Sequence, residues 1–498
     1  MRGSIVHAAV ARVASSRDGW PIVGKLVSDV AARLSIVVVV ILAVRYGDID
    51  DLGAWSQLQV LSSLLAPIAV LGLSNAMVPV YASRPWNPEV RRSATVAFGW
   101  ATLSCALATV VLAVLAPVAD RFILDWPRGV ELFRWGAPMV AITGFEFLVL
   151  SLLQARRRFG TYIVVQLGST AVLLAGAALV LPLQGDIVSL VRFVTAGRAI
   201  VLALGALAAV RGGAVVASAS TPPALWGMIR FGVGVTIADL GSWVVQLGDR
   251  FVVGYHQTAR ELGAYAAVYT ATGVLSLLGA AVFLPAFPRM ATSWSTGGRS
   301  GLQLSFRTFH QPLSIAVVPA TLFVIVVFGP AFDVLARSPS RPQIWVTMLI
   351  AAAVGLNQWN GLAHHALIVV GGGRAVRAPW FVGGALAVGS ALVLVPLLGL
   401  LGAAISTAMA LLTVDVMLAV RLGQHIDLRA AYALGPTVHA AVATVPATIA
   451  SLVVFALASK VAALVLGSAT FWAVYVIALL VLRQEPFVPL SEEAPASE

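Results

Sequence analysis

The chain has 498 residues, of which 59% are hydrophobic and only 11% are charged. This composition excludes an ordinary soluble globular protein and predicts a protein that crosses a membrane many times. The formal net charge of +11 does not indicate nucleic-acid binding, because the basic residues stand singly between apolar runs and form no dense patch with interleaved aromatic residues.

About fourteen apolar runs follow one another along the chain, each close to the roughly 20 residues that a membrane-spanning helix needs. The first, near residues 26–44, follows a long basic segment and has no small-x-small cleavage site, so we interpret it as an uncleaved helix and not as a signal peptide. The others lie near residues 54–80, 94–117, 133–154, 161–182, 187–210, 229–254, 263–287, 309–329, 344–368, 379–396, 400–420, 435–457 and 461–482. The predicted fold class is an all-α polytopic membrane protein with about fourteen transmembrane helices.

The distribution of basic residues predicts the orientation of these helices. If the N-terminus lies in the cytoplasm, the outer loops receive only Arg45, Arg121, Arg128, Arg260, Arg337, Arg341 and Lys460. The inner loops receive the larger set Arg84, Arg91, Arg92, Arg156, Arg157, Arg158, Arg211, Arg230, Arg289, Arg299, Arg307, Arg374, Arg377, Arg421, Arg429 and Arg483. The positive-inside rule therefore predicts that both termini are cytoplasmic.

Short motifs recur along the chain at a nearly constant distance. The sequence Leu-Gly-Ala-Trp at 52–55 returns as Leu-Gly-Ala-Tyr at 262–265, and Leu-Pro-Leu at 181–183 is matched by Val-Pro-Leu at 395–397. This distance corresponds to six helices, and an even number of crossings returns the chain to the same side of the membrane. It therefore predicts two six-helix lobes of the same orientation, related by a parallel repeat around a central cavity. The expected segments are an N-terminal cytoplasmic segment (1–25), a first lobe (26–210), a cytoplasmic linker (211–228), a second lobe (229–425), two further helices (426–483) and an acidic tail (484–498).

Three motifs at the start of the second lobe resemble a known family. They are Asp-Arg-Phe-Val-Val-Gly at 249–254, Leu-Gly-Ala-Tyr at 262–265 and Leu-Pro-Ala-Phe-Pro-Arg-Met at 284–290. They are similar to polysaccharide flippases of the multidrug/oligosaccharidyl-lipid/polysaccharide exporter superfamily, which are related to O-antigen and lipid II flippases. Further matches at 71–76 and 395–407 extend the resemblance over about residues 20–425.

This resemblance implies a flippase that moves a polyprenyl-diphosphate-linked oligosaccharide across the bacterial inner membrane by alternating access, with no enzymatic reaction. The implied partners are the lipid-linked oligosaccharide, membrane lipids, and a polysaccharide polymerase with other assembly proteins, but no nucleic acid. No cofactor is expected, and H⁺, Na⁺ or the membrane potential remain open as the driving force. The alternatives are a multidrug or cation exporter of the same superfamily and a membrane-embedded polymerase or ligase, which the absence of a large outer loop disfavours.

Polar residues inside the spans are the candidates for substrate binding. Arg33, Arg198 and Arg250 fit a diphosphate, because a guanidinium group is always charged and binds phosphate in a bidentate manner. Asn357, Asn360 and His364 are spaced by three and four residues. They therefore share a helix face, and they bond either sugar hydroxyls or a neighbouring helix.

Acidic residues within the spans are candidates for ion coupling or for balancing a cavity arginine: Glu146, Asp239, Asp249 and Asp415. Asp239 belongs to a polar face of the seventh span that also carries Thr236, Trp243, Gln246 and Arg250. A carboxylate at membrane depth is costly, so this face is expected to meet protein or water and not lipid. No catalytic or metal-binding motif is found: Cys105 is the only cysteine, and Asp48 and Asp50 stand in a short loop.

Overall fold

A computed structural model describes residues 19–81, 88–211, 224–335, 342–432, 434–458 and 460–482. The predicted acidic tail, residues 212–223 of the predicted linker and residues 1–18 of the N-terminal segment lie outside the described residues. Within the described residues, every regular element is an α-helix. In chain order these are α1 (Gly19–Tyr46), α2 (Ile49–Ala69), α3 (Leu73–Tyr81), α4 (Pro88–Ile123), α5 (Gly129–Ala155), α6 (Phe159–Gln184), α7 (Ile187–Arg211), α8 (Ala224–Leu247), α9 (Asp249–His256), α10 (Ala259–Leu335), α11 (Ile344–Gly371), α12 (Gly373–Leu398), α13 (Leu400–Gly423), α14 (Leu428–Tyr432), α15 (Leu434–Leu457) and α16 (Lys460–Leu482).

The helices reproduce the predicted spans, and the predicted fold class is confirmed. Within the described ranges, eleven helices are long and apolar enough to cross a membrane. One of them, α10, is broken at Gly298, whose φ of 54° and ψ of −134° are not helical, and it covers the eighth and ninth predicted spans. The pair α2–α3 and helix α11 occupy the two remaining ones.

The second predicted span is divided into α2 and α3 by a left-handed turn. Leu71 has a φ of 56° and Gly72 a φ of 65°. The Leu71 amide donates to the Ile68 carbonyl and the Gly72 amide to the Pro67 carbonyl, both at 2.8 Å. This pair of hydrogen bonds is the Schellman arrangement that ends a helix, and it places a leucine where glycine is more usual. Hydropathy does not reveal this break, because the apolar run continues through it.

The chain divides into two compact units. Unit 1 comprises residues 1–240 and 258–263, and unit 2 comprises residues 241–257 and 264–498. In unit 1, α5 packs against α2, α3, α4 and α7, and α1 packs against α6. The buried Tyr81 hydroxyl lies 2.9 Å from Ser93 Oγ and also contacts the sulfur of Met228, so α3, α4 and α8 meet at this point.

In unit 2, α13 is packed between α11 and α12, and α15 pairs with α16. The hairpin of α15 and α16 is joined to α10, since the Tyr475 hydroxyl donates to the Ile315 carbonyl at 2.7 Å and the rings of Phe323 and Phe471 are in contact at 5.2 Å. The last two predicted helices are therefore part of the compact body of unit 2.

The repeated Leu-Gly-Ala motifs contact each other inside unit 1. A Cβ atom on Gly53 would overlap the Ala259 carbonyl, and one on Gly263 would overlap the Ile49 carbonyl. Each would also come within 3.0 Å of the other glycine's amide nitrogen. The starts of α2 and α10 thus cross at a distance that only glycine permits in both.

Candidate functional site

Among the described residues of unit 2, the most enclosed carboxylate is Asp249, the first residue of α9. Its side chain is fully buried. Its Oδ2 atom accepts hydrogen bonds from the hydroxyls of Tyr265 at 2.5 Å, Tyr269 at 2.8 Å and Thr407 at 2.7 Å. Its Oδ1 atom has no hydrogen-bond partner among the described residues. One carboxylate oxygen therefore joins α9, α10 and α13, and the other is available to a proton or a cation.

Arg250 is the next residue in the chain after Asp249, and it is only partly buried. Its guanidinium carbon lies 4.5 Å from the centroid of the Tyr269 ring, in a cation–π contact. The Tyr269 hydroxyl is fixed by Asp249 and Thr407, so the ring under the guanidinium is held in place. Asp249 and Arg250 therefore both contact Tyr269, the first through the hydroxyl and the second through the ring.

The other residues of the predicted polar face, on α8, differ in their burial. Thr236 is half-buried and accepts a hydrogen bond from Asn75 Nδ2 on α3 at 3.2 Å. Asp239 and Gln246 are exposed in this structure. Close contact between Gly72 and Gly232 sets this crossing, because a Cβ on either glycine would overlap the other's backbone. Thr236 therefore serves helix packing within unit 1.

A second polar cluster surrounds Asp415 on α13, and it gathers three of the predicted residues. Asp415 Oδ1 accepts from Asn357 Nδ2 at 3.1 Å and from Asn360 Nδ2 at 3.2 Å. Asn360 Nδ2 also bonds the Asp415 carbonyl at 3.0 Å, and its Oδ1 accepts from the Tyr432 hydroxyl. These bonds tie α11 to α13 and α14. The two asparagines thus use their amides to join helices, the alternative to sugar binding that their spacing left open.

His364 is placed apart from this cluster. Its Nδ1 atom accepts a hydrogen bond from the Trp380 indole at 3.1 Å, which links α11 to α12. The ring of His365 lies 5.3 Å away, edge to face, and also contacts Phe283 at 4.9 Å. His364 is therefore engaged in packing on a different side of α11 from Asp415.

In unit 1, Arg198 on α7 is half-buried and its Nε atom is enclosed without a hydrogen-bond partner among the described residues. Thr195, one turn earlier, also has an enclosed Oγ1 atom without a partner. On the adjacent helix α6, Gln166 Oε1 and Ser169 Oγ are in the same condition. Buried polar groups normally find partners, so these two helices carry unmet hydrogen-bonding capacity.

The other predicted residues of unit 1 lie on α1 and α5. Arg33 is exposed, and Asp29 pairs with Lys25 at 2.7 Å and accepts from the Tyr162 hydroxyl at 3.0 Å. Glu146 is buried on α5, next to the turn that packs Val149 into the core. Asp29 thus pairs with Lys25, one turn earlier on α1, and is joined to Tyr162 on α6.

An ion-pair network occupies the loops at one end of unit 1. Arg128 pairs with Asp186 at 2.5 Å and with Glu131 at 2.9 Å, and Glu131 also pairs with Arg192. Burial alone would raise the pKa of Asp186, but hydrogen bonds from Ser189, Val188 and Arg128 lower it below its usual value. Arg192 also lies 4.8 Å above the Trp135 ring, so its charge is satisfied locally.

Sequence reasoning missed the hydroxyl donors of these sites. Tyr265 and Tyr269 are one helical turn apart, which signals a shared face but not that the face meets Asp249. Thr407 and Tyr432 gave no such signal, since their partners lie 158 and 72 positions away in the chain. In the described part of the chain, no three His, Cys, Asp or Glu side chains form a group that could hold a metal ion.

A family model and several solved structures match this chain. The model of the family described as "Polysaccharide biosynthesis protein" matches residues 48–337. No curated protein matches the chain significantly by sequence. Lipid II flippase MurJ, in an inward closed conformation, matches with a TM-score of 0.70 and 10% identity over 92% of this chain and 98% of that chain.

Two further solved structures belong to transporters. An inward-facing multidrug resistance MATE family transporter of the MOP superfamily has a TM-score of 0.60 and 14% identity over 79% of this chain and 95% of that chain. A MOP superfamily transporter from Pyrococcus furiosus has a TM-score of 0.54 and 12% identity over 83% of this chain and 97% of that chain. At these identities the likeness shows the fold, which is that of a multi-pass membrane protein.

Proposed function

The chain belongs to the polysaccharide biosynthesis family, and on this premise we propose that it is a flippase for a polyprenyl-diphosphate-linked oligosaccharide. It acts in the bacterial inner membrane by alternating access, and it is a transporter and not an enzyme. The observation that carries the proposal is Arg198, a half-buried arginine inside an apolar helix. An enclosed guanidinium nitrogen without an acceptor is costly for the protein alone and suits an anionic ligand.

Arg250 in unit 2 is a second arginine that suits an anionic ligand. Its guanidinium is held against the Tyr269 ring, so less side-chain freedom is lost when an anion binds. A drug-like cation would be repelled at this position.

Asp249 supports a coupling role in the proposed cycle. Its Oδ1 atom is enclosed and has no partner within the described ranges, while its Oδ2 atom is fixed by hydroxyl groups of Tyr265, Tyr269 and Thr407. Protonation or Na⁺ binding at Oδ1 would change the charge between α9 and α13. Asp239 remains a second candidate, as a proton carrier or as the counter-ion of an arginine.

A translocation assay tests the proposal. The purified protein is reconstituted in liposomes with a lipid-linked oligosaccharide, and the sugar that reaches the other leaflet is measured with an impermeant sugar-modifying enzyme. Wild-type protein should move the substrate, Arg198→Ala should be strongly impaired, and Arg198→Lys should recover only part of the rate. The matched control is Arg192→Ala on the same helix, where Glu131 already neutralises the charge. Equal rates in Arg198→Ala and Arg192→Ala would contradict the proposal.

The second candidate is a multidrug or cation exporter of the same fold, which would bind amphipathic cations beside Asp239, exposed on α8, and Glu146. The same liposomes distinguish the two. Uptake of a fluorescent organic cation without movement of lipid-linked sugar would establish the exporter. Formation of a new glycosidic bond from the added substrate would instead establish the polymerase or ligase alternative.

A further inference from the structure

A groove of about 340 Å³ lies in unit 2 between α11, α13, α14 and the start of α15. This volume falls in the range of roughly 300–1,000 Å³ that is usual for small-molecule sites. Apolar side chains form its walls: Leu356, Leu412, Val416, Leu428 and Leu434. Leu412, Val416 and Leu434 are each more than half exposed, so the groove is open to a hydrocarbon chain from the surrounding membrane.

The polar residues at the floor of this groove are turned to one another. The Trp359 indole donates to Ser314 Oγ at 2.9 Å, and the Tyr432 hydroxyl donates to Asn360. Asn360 and Asp415 also line the groove, but they are only 3% and 5% exposed. The floor thus presents aromatic and aliphatic surface. A sugar would find few polar partners here, whereas an acyl chain would fit.

Arginines flank the groove on both sides of the short helix α14. Arg429 lines the groove itself. A second recess of about 430 Å³, next to Ala430, is lined by Arg299 and Arg307 on α10. The Asp427 amide donates to Gln303 Oε1 at 3.1 Å, which fixes the α14 segment against this part of α10.

None of these three guanidinium groups forms an ion pair with another described residue. Arg299 and Arg307 on α10 and Arg429 on α14 all belong to the set of arginines that the charge distribution predicts to be cytoplasmic. A cytoplasmic leaflet is rich in anionic lipids, and guanidinium groups bind phosphodiesters strongly. The charge of this surface therefore complements a lipid headgroup.

We propose that unit 2 binds an anionic glycerophospholipid, with one acyl chain in the groove and its phosphodiester at the arginines beside α14. The site uses none of Arg198, Arg250 and Asp249, on which the proposed transport function rests, and we assign it to a resident lipid and not to the cargo. The lipid fills the space between α11, α13 and α15 and holds α14 against them.

Native mass spectrometry of the delipidated full-length chain in detergent tests this site. Phosphatidylglycerol and phosphatidylcholine with the same acyl chains are titrated separately, and sn-glycerol 1-phosphate serves as the soluble phosphate probe. Phosphatidylglycerol should bind more tightly than phosphatidylcholine, and the soluble probe should not displace it. Replacing Arg429 or Arg307 by Gln should weaken phosphatidylglycerol binding by about fivefold each, because this is the affinity that one basic residue contributes at an anionic membrane surface.

Filling the groove tests the acyl chain separately. Val416→Trp should weaken binding of both phospholipids. The smaller change Leu412→Phe should weaken it in part, and this variant replaces the test if Val416→Trp does not fold. The matched controls are Arg377→Gln, an exposed arginine on α12, and Val445→Trp, an exposed position on α15. Phosphatidylglycerol selectivity that survives the combined Arg299, Arg307 and Arg429 to Gln variant would overturn the proposal. Displacement of the lipid by sn-glycerol 1-phosphate would overturn it too, because it would identify a phosphate site alone.

Discussion

Asp249 and Thr407 are joined by a hydrogen bond of 2.7 Å between α9 and α13, although 158 positions separate them in the chain. The same carboxylate oxygen accepts the hydroxyls of Tyr265 and Tyr269. The cluster of Asp249 with these three hydroxyl groups therefore holds helices together, and it is also a candidate coupling site. Variants that change only one of these properties can therefore tell the two roles apart.

Removing single donors around Asp249 should affect stability more than coupling. Tyr265→Phe should lower the free energy of unfolding by about 1 kcal/mol, because one buried hydrogen bond is lost while the carboxylate keeps two others. Asp249→Asn should abolish coupled transport, because the amide cannot take up a proton or a cation charge at Oδ1. Thermal unfolding in detergent and the translocation rate measure the two effects. Tyr255→Phe, at an exposed site, is the control and should change neither.

Arg250 should tolerate lysine only in part. Lysine keeps the positive charge over the Tyr269 ring but has no planar pair of donors for a diphosphate oxygen pair. We expect the rate of lipid-linked sugar translocation to fall in Arg250→Lys and to fall further in Arg250→Ala, with protein levels maintained. A lysine variant that transports at the wild-type rate would show that charge alone suffices at this position.

The two asparagines on α11 should differ in their importance for stability. Asn360 bonds Asp415 twice and accepts from Tyr432, whereas Asn357 makes one of these bonds. Asn357→Ala should cost about 1 kcal/mol, and Asn360→Ala should exceed it by about 1–3 kcal/mol because it leaves the buried Tyr432 hydroxyl without a partner. Equal melting temperatures of the two variants would contradict this network. If either asparagine binds sugar as well, the translocation rate should fall by more than the stability loss explains.

The first turn of α2 should make stability depend on pH. Burial, followed by the charges of Asp48 and Asp186, raises the pKa of Asp51 from 3.8 to about 6. A carboxyl group that binds its proton more tightly in the folded protein contributes stability below the unfolded pKa and loses it as the pH rises through the folded pKa. The melting temperature should therefore fall between about pH 4 and pH 7, and less so in Asp51→Asn.

Asp50→Asn is the matched control for this pH dependence, since Asp50 lies in the same turn, its side chain is 42% exposed and its Oδ1 atom lies 3.8 Å from Arg260 Nε. Asp186 works in the opposite direction, because its lowered pKa means that its contribution is lost only as the pH falls. A melting curve whose pH profile is the same in wild type and Asp51→Asn would exclude a buried Asp51 carboxyl group.

Glycine-to-alanine changes on α10 should have opposite signs at two positions. Gly263→Ala forces a Cβ onto the Ile49 carbonyl and should destabilise the protein by about 1–3 kcal/mol or more. Gly273→Ala meets no atom within 4 Å and should stabilise it by about 0.5–1 kcal/mol, since alanine is the better helix former. Thermal unfolding of the two variants checks the contrast.

The sequence predicted the order and approximate limits of the apolar spans, because hydrocarbon thickness imposes a length that can be counted. It did not predict the break at Leu71, since a Schellman turn with leucine leaves no mark in hydropathy. The separation of α8 from α9 at Gly248 was likewise hidden inside one apolar run. Spacing correctly placed Asn357 and Asn360 on one face, but it could not reveal that Asp415 lies opposite, because the register of α13 is set by packing along its whole length.

The contact between Gly53 and Gly263 couples two positions that lie far apart in the chain. Two distant positions are ordinarily free to diverge, since a change in one leaves the other intact. Here the backbone beside each glycine occupies the space that a side chain on the other would need. Selection must therefore act on the two glycines together, and an exchange at either position cannot be repaired by a change of side chain at the other.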